Sequence, residues 1–183
     1  MTTTLDHLAN RLAADRDSAF PDLVRALQDG IYSGSLQFTR NRQDAEDVTQ
    51  ETFVRVYRAL ESYDEERIRD LQLRPWAWTI ALNLCRNRAR TANRHPETSL
   101  VDDRVDQTGD TAGEAASNVD LAEWRQRLAG LTGPQRTAIV LHHVVGLPYA
   151  EIAESTNRSE STVRSDVRRG LARLRTLMEQ EKR

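Results

Sequence analysis

Cysteine is all but missing from this chain. Cys85 is the one thiol among 183 residues, which excludes an internal disulfide and any cysteine-rich zinc site. Histidine is scarce as well. His7, His95, His142 and His143 show no metal-ligand spacing, and adjacent residues on a helix project about 100° apart, so His142 and His143 cannot readily share an ion. No metal and no cofactor is expected. Aromatic residues make up 5% of the chain, with 8 glycines and 5 prolines, a profile that suits a mostly helical protein. No apolar run approaches the roughly 18 residues that a membrane span requires. The opening stretch "MTTTLDHLANRLAADRD" lacks an apolar centre and a cleavage-like end, so it does not read as a signal peptide, and a cytoplasmic protein is expected. An excess of either charge is absent too: 26 basic residues face 28 acidic ones, for a net charge of −2. No global positive field draws this chain to nucleic acid, and any such attraction must come from local segregation of charge.

The residues that are present fall into three zones. From about Ser18 to Arg94 the apolar positions keep a helical period, as in Leu23, Val24, Leu27, Ile31 and Tyr32. A second helix runs through "DAEDVTQETFVRVYRAL", "ESYDEERIRDLQL" reads as a polar loop, and Pro75 suits the first turn of a third helix, "PWAWTIALNLCRNRAR". From Pro96 to Asp120 the period vanishes. This stretch has seven acids, one arginine and almost no large apolar side chain, so it cannot bury enough surface to offset its ordering entropy. It reads as a flexible acidic linker, either a plain tether or an acidic strand lying in a basic channel. Helices then resume at about 121–130, 134–145, 149–155 and 159–180, with Thr132 as a cap and Gly146 at a helix end. The expected fold is all-α: a helical domain over 1–95, the linker over 96–120, and a second helical domain over 121–183.

The last zone carries the strongest local signal. "EIAESTNRSESTVRSDVRRGLARLRTL" holds six arginines after Asn157 against two acids. Asn157 can take the left-handed turn usually given to glycine, and Ser159 is a good N-cap, so the segment reads as a helix-turn-helix. The stripe Val163, Val167, Leu171, Leu174 and Met178 is expected to face the core. Opposite it lie Ser161, Arg164, Ser165 and Arg168. A helix fits the major groove and an arginine there can bond two acceptors of one guanine, so these four are assigned to bases, and Arg158, Arg169 and Arg173 to phosphates. The plainer reading is a solvated amphipathic helix.

Two further surfaces stand out. From Leu71 to Pro96 there is no acid, while Arg74, Arg86, Arg88, Arg90 and Arg94 are present. With Asn83 and the rings of Trp76 and Trp78, such a helix could hold single-stranded DNA. Trp76 is expected in the core; for Trp78 core and surface are left equal. In "RNRQDAEDVTQE", Asp44, Glu46, Asp47, Gln50 and Glu51 crowd the start of a helix. There they favour the dipole, or with Val48 among them they form a partner-binding face.

In order and spacing these segments resemble the extracytoplasmic-function sigma factors of the sigma-70 family. "DAEDVTQETFVRVYRAL" resembles the region 2 helix that docks on the clamp coiled coil of core RNA polymerase. "LRPWAWTIALNLCRNRAR" is similar to the next helix, which helps recognise and melt the −10 element. "LTGPQRTAIVLHHVVGLPYAEIAESTNRSESTVRSDVRRGLARLR" is similar to region 4, which reads the −35 element and contacts the polymerase flap. The resemblance implies that Asp44, Glu46, Asp47, Gln50 and Glu51 bear on polymerase. It implies that the loop Ser62–Leu73 captures a flipped −10 base, and that Trp78, Asn83, Arg86, Arg88 and Arg90 lie along promoter DNA, duplex or single-stranded. The linker would thread the cleft that nascent RNA later claims. Family members are often held by an anti-sigma partner. Some positions depart from the family pattern: Ser155, Thr156 and Arg158 suggest a loosely held first helix, and Asp166 stands where it would repel phosphate. The rival functions are a stand-alone helix-turn-helix regulator that binds duplex DNA without polymerase, and a helical enzyme. The second lacks a nucleophile–base pair and a phosphate-binding glycine loop.

Overall fold

The computed structural model describes residues 2–94, 124 and 126–181; the expected linker lies outside them. Every element among these residues is helical, as the composition implies. The chain begins with α1, Thr2–Ala14, where the sequence reading placed no element. Leu8, Ala9, Leu12 and Ala13 form its buried face, a spacing of one, three and four residues that a helix brings to one side. Helix α2, Arg16–Thr39, starts where Asp15 accepts the Ser18 N–H at 3.1 Å. Helix α3, Arg42–Ser62, starts where Asn41 accepts the Asp44 N–H at 2.9 Å.

The expected polar loop after α3 contains a short helix, α4, Glu65–Arg69. Asp64 caps it by accepting the Arg67 N–H at 2.8 Å, and Ile68 anchors it in the core. Helix α5, Leu73–Arg94, carries Pro75 in its first turn, where a missing N–H costs nothing. Residues 126–129 are helical. Helix α6, Gly133–Ile139, is followed without a break by a π-helical segment, Val140–Val144. Gly146 then reverses the chain at φ 79°. Helices α7, Tyr149–Thr156, and α8, Glu160–Glu181, complete the fold.

The two helical halves share one core. Leu23, Ile31, Val56 and Trp78 belong to the same buried cluster as Leu141, Leu147, Ile152 and Val163. A notch on α2 receives both halves. A Cβ on Gly34 would overlap the Trp78 ring of α5, and one on Gly30 would lie 3.4 Å from Val145. Helix α5 also packs directly on α7. Trp78 is only 1% exposed, whereas Trp76 is half-buried against Tyr63. Trp76, expected in the core, packs on its edge, and Trp78, for which core and surface stood equal, is the ring that α5 turns inward toward α2.

The register of α8 also differs from the expected stripe. Leu171 and Met178 are 42% and 41% exposed, and the buried positions are Val163, Asp166, Val167, Gly170 and Leu174. Gly170 lies so close to Ile139 of α6 that a side chain there would collide with it. Val163, Val167 and Leu174 of the expected stripe do face the core, but hydrophobicity alone misplaces its edge, since one buried position has no side chain and another is a carboxylate.

Candidate nucleic-acid interface

The C-terminal reading surface is built by a turn and a cap. Asn157 adopts φ 53°, ψ 49°, the left-handed conformation expected for it, and its N–H donates to the Glu154 carbonyl at 3.2 Å. Ser159 Oγ accepts the Thr162 N–H at 3.3 Å and starts α8. Ser161, Arg164 and Arg168 are exposed on the face opposite Val163 and Val167, with Ser165 half-buried beside them. Arg164 pairs with Glu160 at 3.0 Å through Nε, and its guanidinium lies 5.2 Å from the Tyr149 ring. Such a pair at solvent is weak and exchangeable, so Arg164 is held in place without being consumed. Arg168 and Arg173 are exposed and form no ion pair with the described residues.

Asp166 does not face outward to repel phosphate. It is 4% exposed, and its two carboxylate oxygens take one arginine each: Arg158 through Nη1, and Arg169 through Nη2 at 3.1 Å. The first helix of the motif is not loosely held either. Buried Ser155 donates its hydroxyl to the Glu151 carbonyl at 2.7 Å, and Thr79 of α5 donates to the Ser155 carbonyl at 3.3 Å. Gln72 reaches Glu154 at 2.7 Å and Arg74 reaches Glu151 at 3.3 Å. The Ser155 and Thr156 hydroxyls are satisfied by carbonyls of their own helix, and Gln72, Arg74 and Thr79 clamp that helix from outside. Burial pushes the Glu151 carboxyl above its ordinary range against the opposing pull of Arg74.

In the N-terminal half, Asn83, Arg86 and Arg90 lie exposed along one strip of α5. Arg86 donates to Asn83 at 2.9 Å and Arg90 to Asn87 at 3.0 Å, so each cation is steadied by a neutral group and keeps its full charge. Trp78, expected among these DNA contacts, is in the core, where no base can stack on it. Arg88 points elsewhere. It ties α5 to α3 by donating to Asp44 and, at 3.1 Å, to Asp47. Two expected polymerase contacts and one expected DNA contact thus form a single interhelical cluster.

The remaining acids of α3 behave differently. Glu46 and Glu51 make local pairs with Arg42 at 3.2 Å and Arg55 at 2.7 Å, and Gln50 is exposed. Val48 is buried against Leu84 and Cys85, so it does not belong to a partner face. Val54, by contrast, is 43% exposed and continues the row Glu46, Gln50 at four-residue steps. That spacing was the available signal for it. In the segment after α3, Arg67 lies 3.7 Å from the Tyr63 ring and Glu65 pairs with Arg69 at 2.5 Å, which offsets part of its acidity.

A cavity of about 310 Å³ opens between the halves, lined in part by Phe38, Leu82, Cys85, Arg86, Arg136 and Arg158. Burial pushes the Cys85 thiol up to about 11, so it is no reactive nucleophile. Arg136 is lowered by burial and by the neighbouring Arg40 charge. His142 stacks on Tyr149 at 4.3 Å, and burial followed by the His142 charge lowers His143. No group of His, Cys, Asp or Glu among the described residues could hold a metal ion, and no helix among them is long and apolar enough to cross a membrane.

Comparison with known proteins matches the two halves to separate family models. The family model for Sigma-70 region 2 matches residues 23–95, and that for Sigma-70, region 4, matches residues 121–174. The RNA polymerase sigma factor NccH of Alcaligenes xylosoxydans xylosoxydans is 29% identical over 94% of this chain and 93% of its own length. The ECF RNA polymerase sigma factor SigW of Bacillus subtilis is 30% identical, covering 88% of this chain and 89% of its own. Among solved structures, CnrH in complex with the cytosolic domain of CnrY superposes with a TM-score of 0.74 at 26% identity, over 96% of this chain and 97% of that one.

Proposed function

The chain belongs to the extracytoplasmic-function sigma factors of the sigma-70 family, and from that premise we propose how its surfaces divide the work of promoter-directed initiation with RNA polymerase. Sigma factors are in general initiation factors, and no covalent step is assigned to any residue here. Helix α8 enters the major groove of the −35 element. Arg164 and Arg168, with Ser161 and Ser165, face base edges, and Arg158, Arg169 and Arg173 hold phosphates. Asn83, Arg86 and Arg90 on α5 lie along the −10 element, with the α4 segment beside the unpaired strand. Opening follows from binding unpaired bases better than paired ones, as a population shift. The exposed row Glu46, Gln50 and Val54 on α3 docks on the clamp of core polymerase. The protein works in the cytoplasm, where that machinery is. A cytosolic protein partner, of the anti-sigma kind that the family resemblance implies, is part of the proposal: the similar CnrH was solved in complex with the cytosolic domain of CnrY.

The observation that carries this reading is the exposed arginine strip of α8, set on a helix whose turn and cap are both formed. A stand-alone regulator would need only that half. It would leave unexplained the acid-free strip of α5 and the match to region 2. The test is transcription with purified core polymerase on a genomic template pool. Arg164→Ala and Arg168→Ala should each reduce promoter-specific transcript about tenfold, since one bidentate base contact is worth about 1–3 kcal/mol, with core binding unchanged. Equal losses in both readouts would refute the division of surfaces. Conversely, Glu46→Arg and Val54→Asp should weaken core association about tenfold in a fluorescence-anisotropy titration while leaving the melting temperature in place. Unchanged affinity would remove α3 from the interface.

A further inference from the structure

Asp166 is the only carboxylate among the described residues that is buried within the reading helix, and it faces the helix-turn-helix turn. A buried carboxylate is retained only when its partners offset its desolvation. Here the partners are two arginines from different places, one in the turn and one a helical turn further along α8. Both were assigned to phosphate on their position alone. The guanidiniums stay accessible: the Arg158 side chain is 32% exposed and that of Arg169 58%. An arginine fork has five N–H donors, and each spends one recorded bond on Asp166. We propose that Asp166 is a positioning residue: it holds Arg158 and Arg169 as a preorganised pair whose outward N–H groups fix the register of α8 on the DNA backbone.

This rests on the reading that α8 docks on duplex DNA. Two like charges brought together in the absence of DNA repel, and free arginine side chains sample many rotamers. Docking them on two fixed phosphates would cost side-chain entropy each time. The buried carboxylate removes both costs in advance. It also lowers the local charge from two to one, which weakens binding to DNA of arbitrary sequence more than binding in the one register where both forks meet phosphates. Asp166 therefore contributes to discrimination between sites and lowers gross affinity.

The test uses the full chain with core polymerase, a promoter duplex selected by that holoenzyme from random DNA, and an unrelated duplex of equal length. Asp166→Asn keeps the shape and removes the charge. Binding to the unrelated duplex should tighten, with the slope of log K against log salt steeper by about 1, as expected for one more neutralised phosphate. The ratio of specific to non-specific affinity should fall about tenfold. Arg169→Gln should change the slope by about 1 in the opposite sense. A carboxylate that merely held the fold together would, when removed, weaken binding to both duplexes, and that result would overturn the proposal. Should Asp166→Asn melt below the assay temperature, Arg158→Lys decides. It keeps the charge and loses the fork, so the affinity ratio should fall severalfold at unchanged slope, and an unchanged ratio would refute positioning. A wild-type holoenzyme showing no preference between the duplexes would instead refute the underlying reading of α8.

Discussion

Trp78→Ala is expected to destabilise the protein by about 3–5 kcal/mol, the range for removing a large aromatic from a packed core. Natural domains hold only about 5–15 kcal/mol in total, so the variant should unfold near the working temperature. The size of the effect follows from placement. Trp78 is fully buried, fills the notch at Gly34, and belongs to the cluster that joins the two halves. No smaller residue on α2 can move in, because the notch exists for want of a side chain. A chemical denaturation series should show a large drop in midpoint for Trp78→Ala and a smaller one for Trp78→Phe. By contrast, Arg86→Ala and Arg90→Ala should leave the midpoint where it is and weaken binding to a single-stranded −10 oligonucleotide in holoenzyme. If Trp78→Ala instead kept its midpoint and lost only strand binding, the ring would be a stacking platform and the core described above would be wrong.

The tryptophans also show which parts of this molecule can be read from sequence. Features set by neighbours along the chain are legible: the left-handed Asn157, the Ser159 cap, Pro75 in a first turn and Gly146 at a helix end all stand where local chemistry puts them. The all-α class and the two family matches on either side of the acidic stretch follow the periodic zones. Features set by distant partners are not legible. Arg88 looks like one more cation on an acid-free helix, and only the fold reveals Asp44 and Asp47 beside it. Asp166 looks misplaced until two arginines close over it. Val48 and Val54 are alike in sequence, yet one meets Leu84 and the other meets solvent. Helices α1 and α4 fall between these cases. The first carried a helical period hidden by a polar opening. The second is five residues long, too short for any period to show.

Separation of the two halves is the second large effect to expect. In this structure α5 packs on α7, with Arg74 against Glu151, Gln72 against Glu154 and Thr79 against the Ser155 carbonyl. Elements centred near −10 and −35 lie about 25 base pairs apart, or about 85 Å at 3.4 Å per pair. Two halves that share a core cannot reach both, so the compact arrangement must open for the proposed function. Opening exposes the apolar surface of Leu141, Leu147 and Ile152, at about 25 cal/mol per Å², and the free energy has to come from contacts made with polymerase and promoter. Dyes on cysteines placed at exposed Gln28 and Glu179, in a Cys85→Ser background, should show strong energy transfer in the free protein and almost none in holoenzyme bound to its promoter. Glu151→Arg, which sets two cations face to face across a mostly buried contact, should already lower transfer in the free protein. Acidity should act the other way. The Glu151 carboxyl is raised by burial in the compact form, so protonation is favoured there, and what this group contributes to compactness is present at low pH and lost as pH rises through its raised value. Strong transfer persisting in the promoter-bound holoenzyme would mean that the halves never part, and a single rigid body cannot span the two elements.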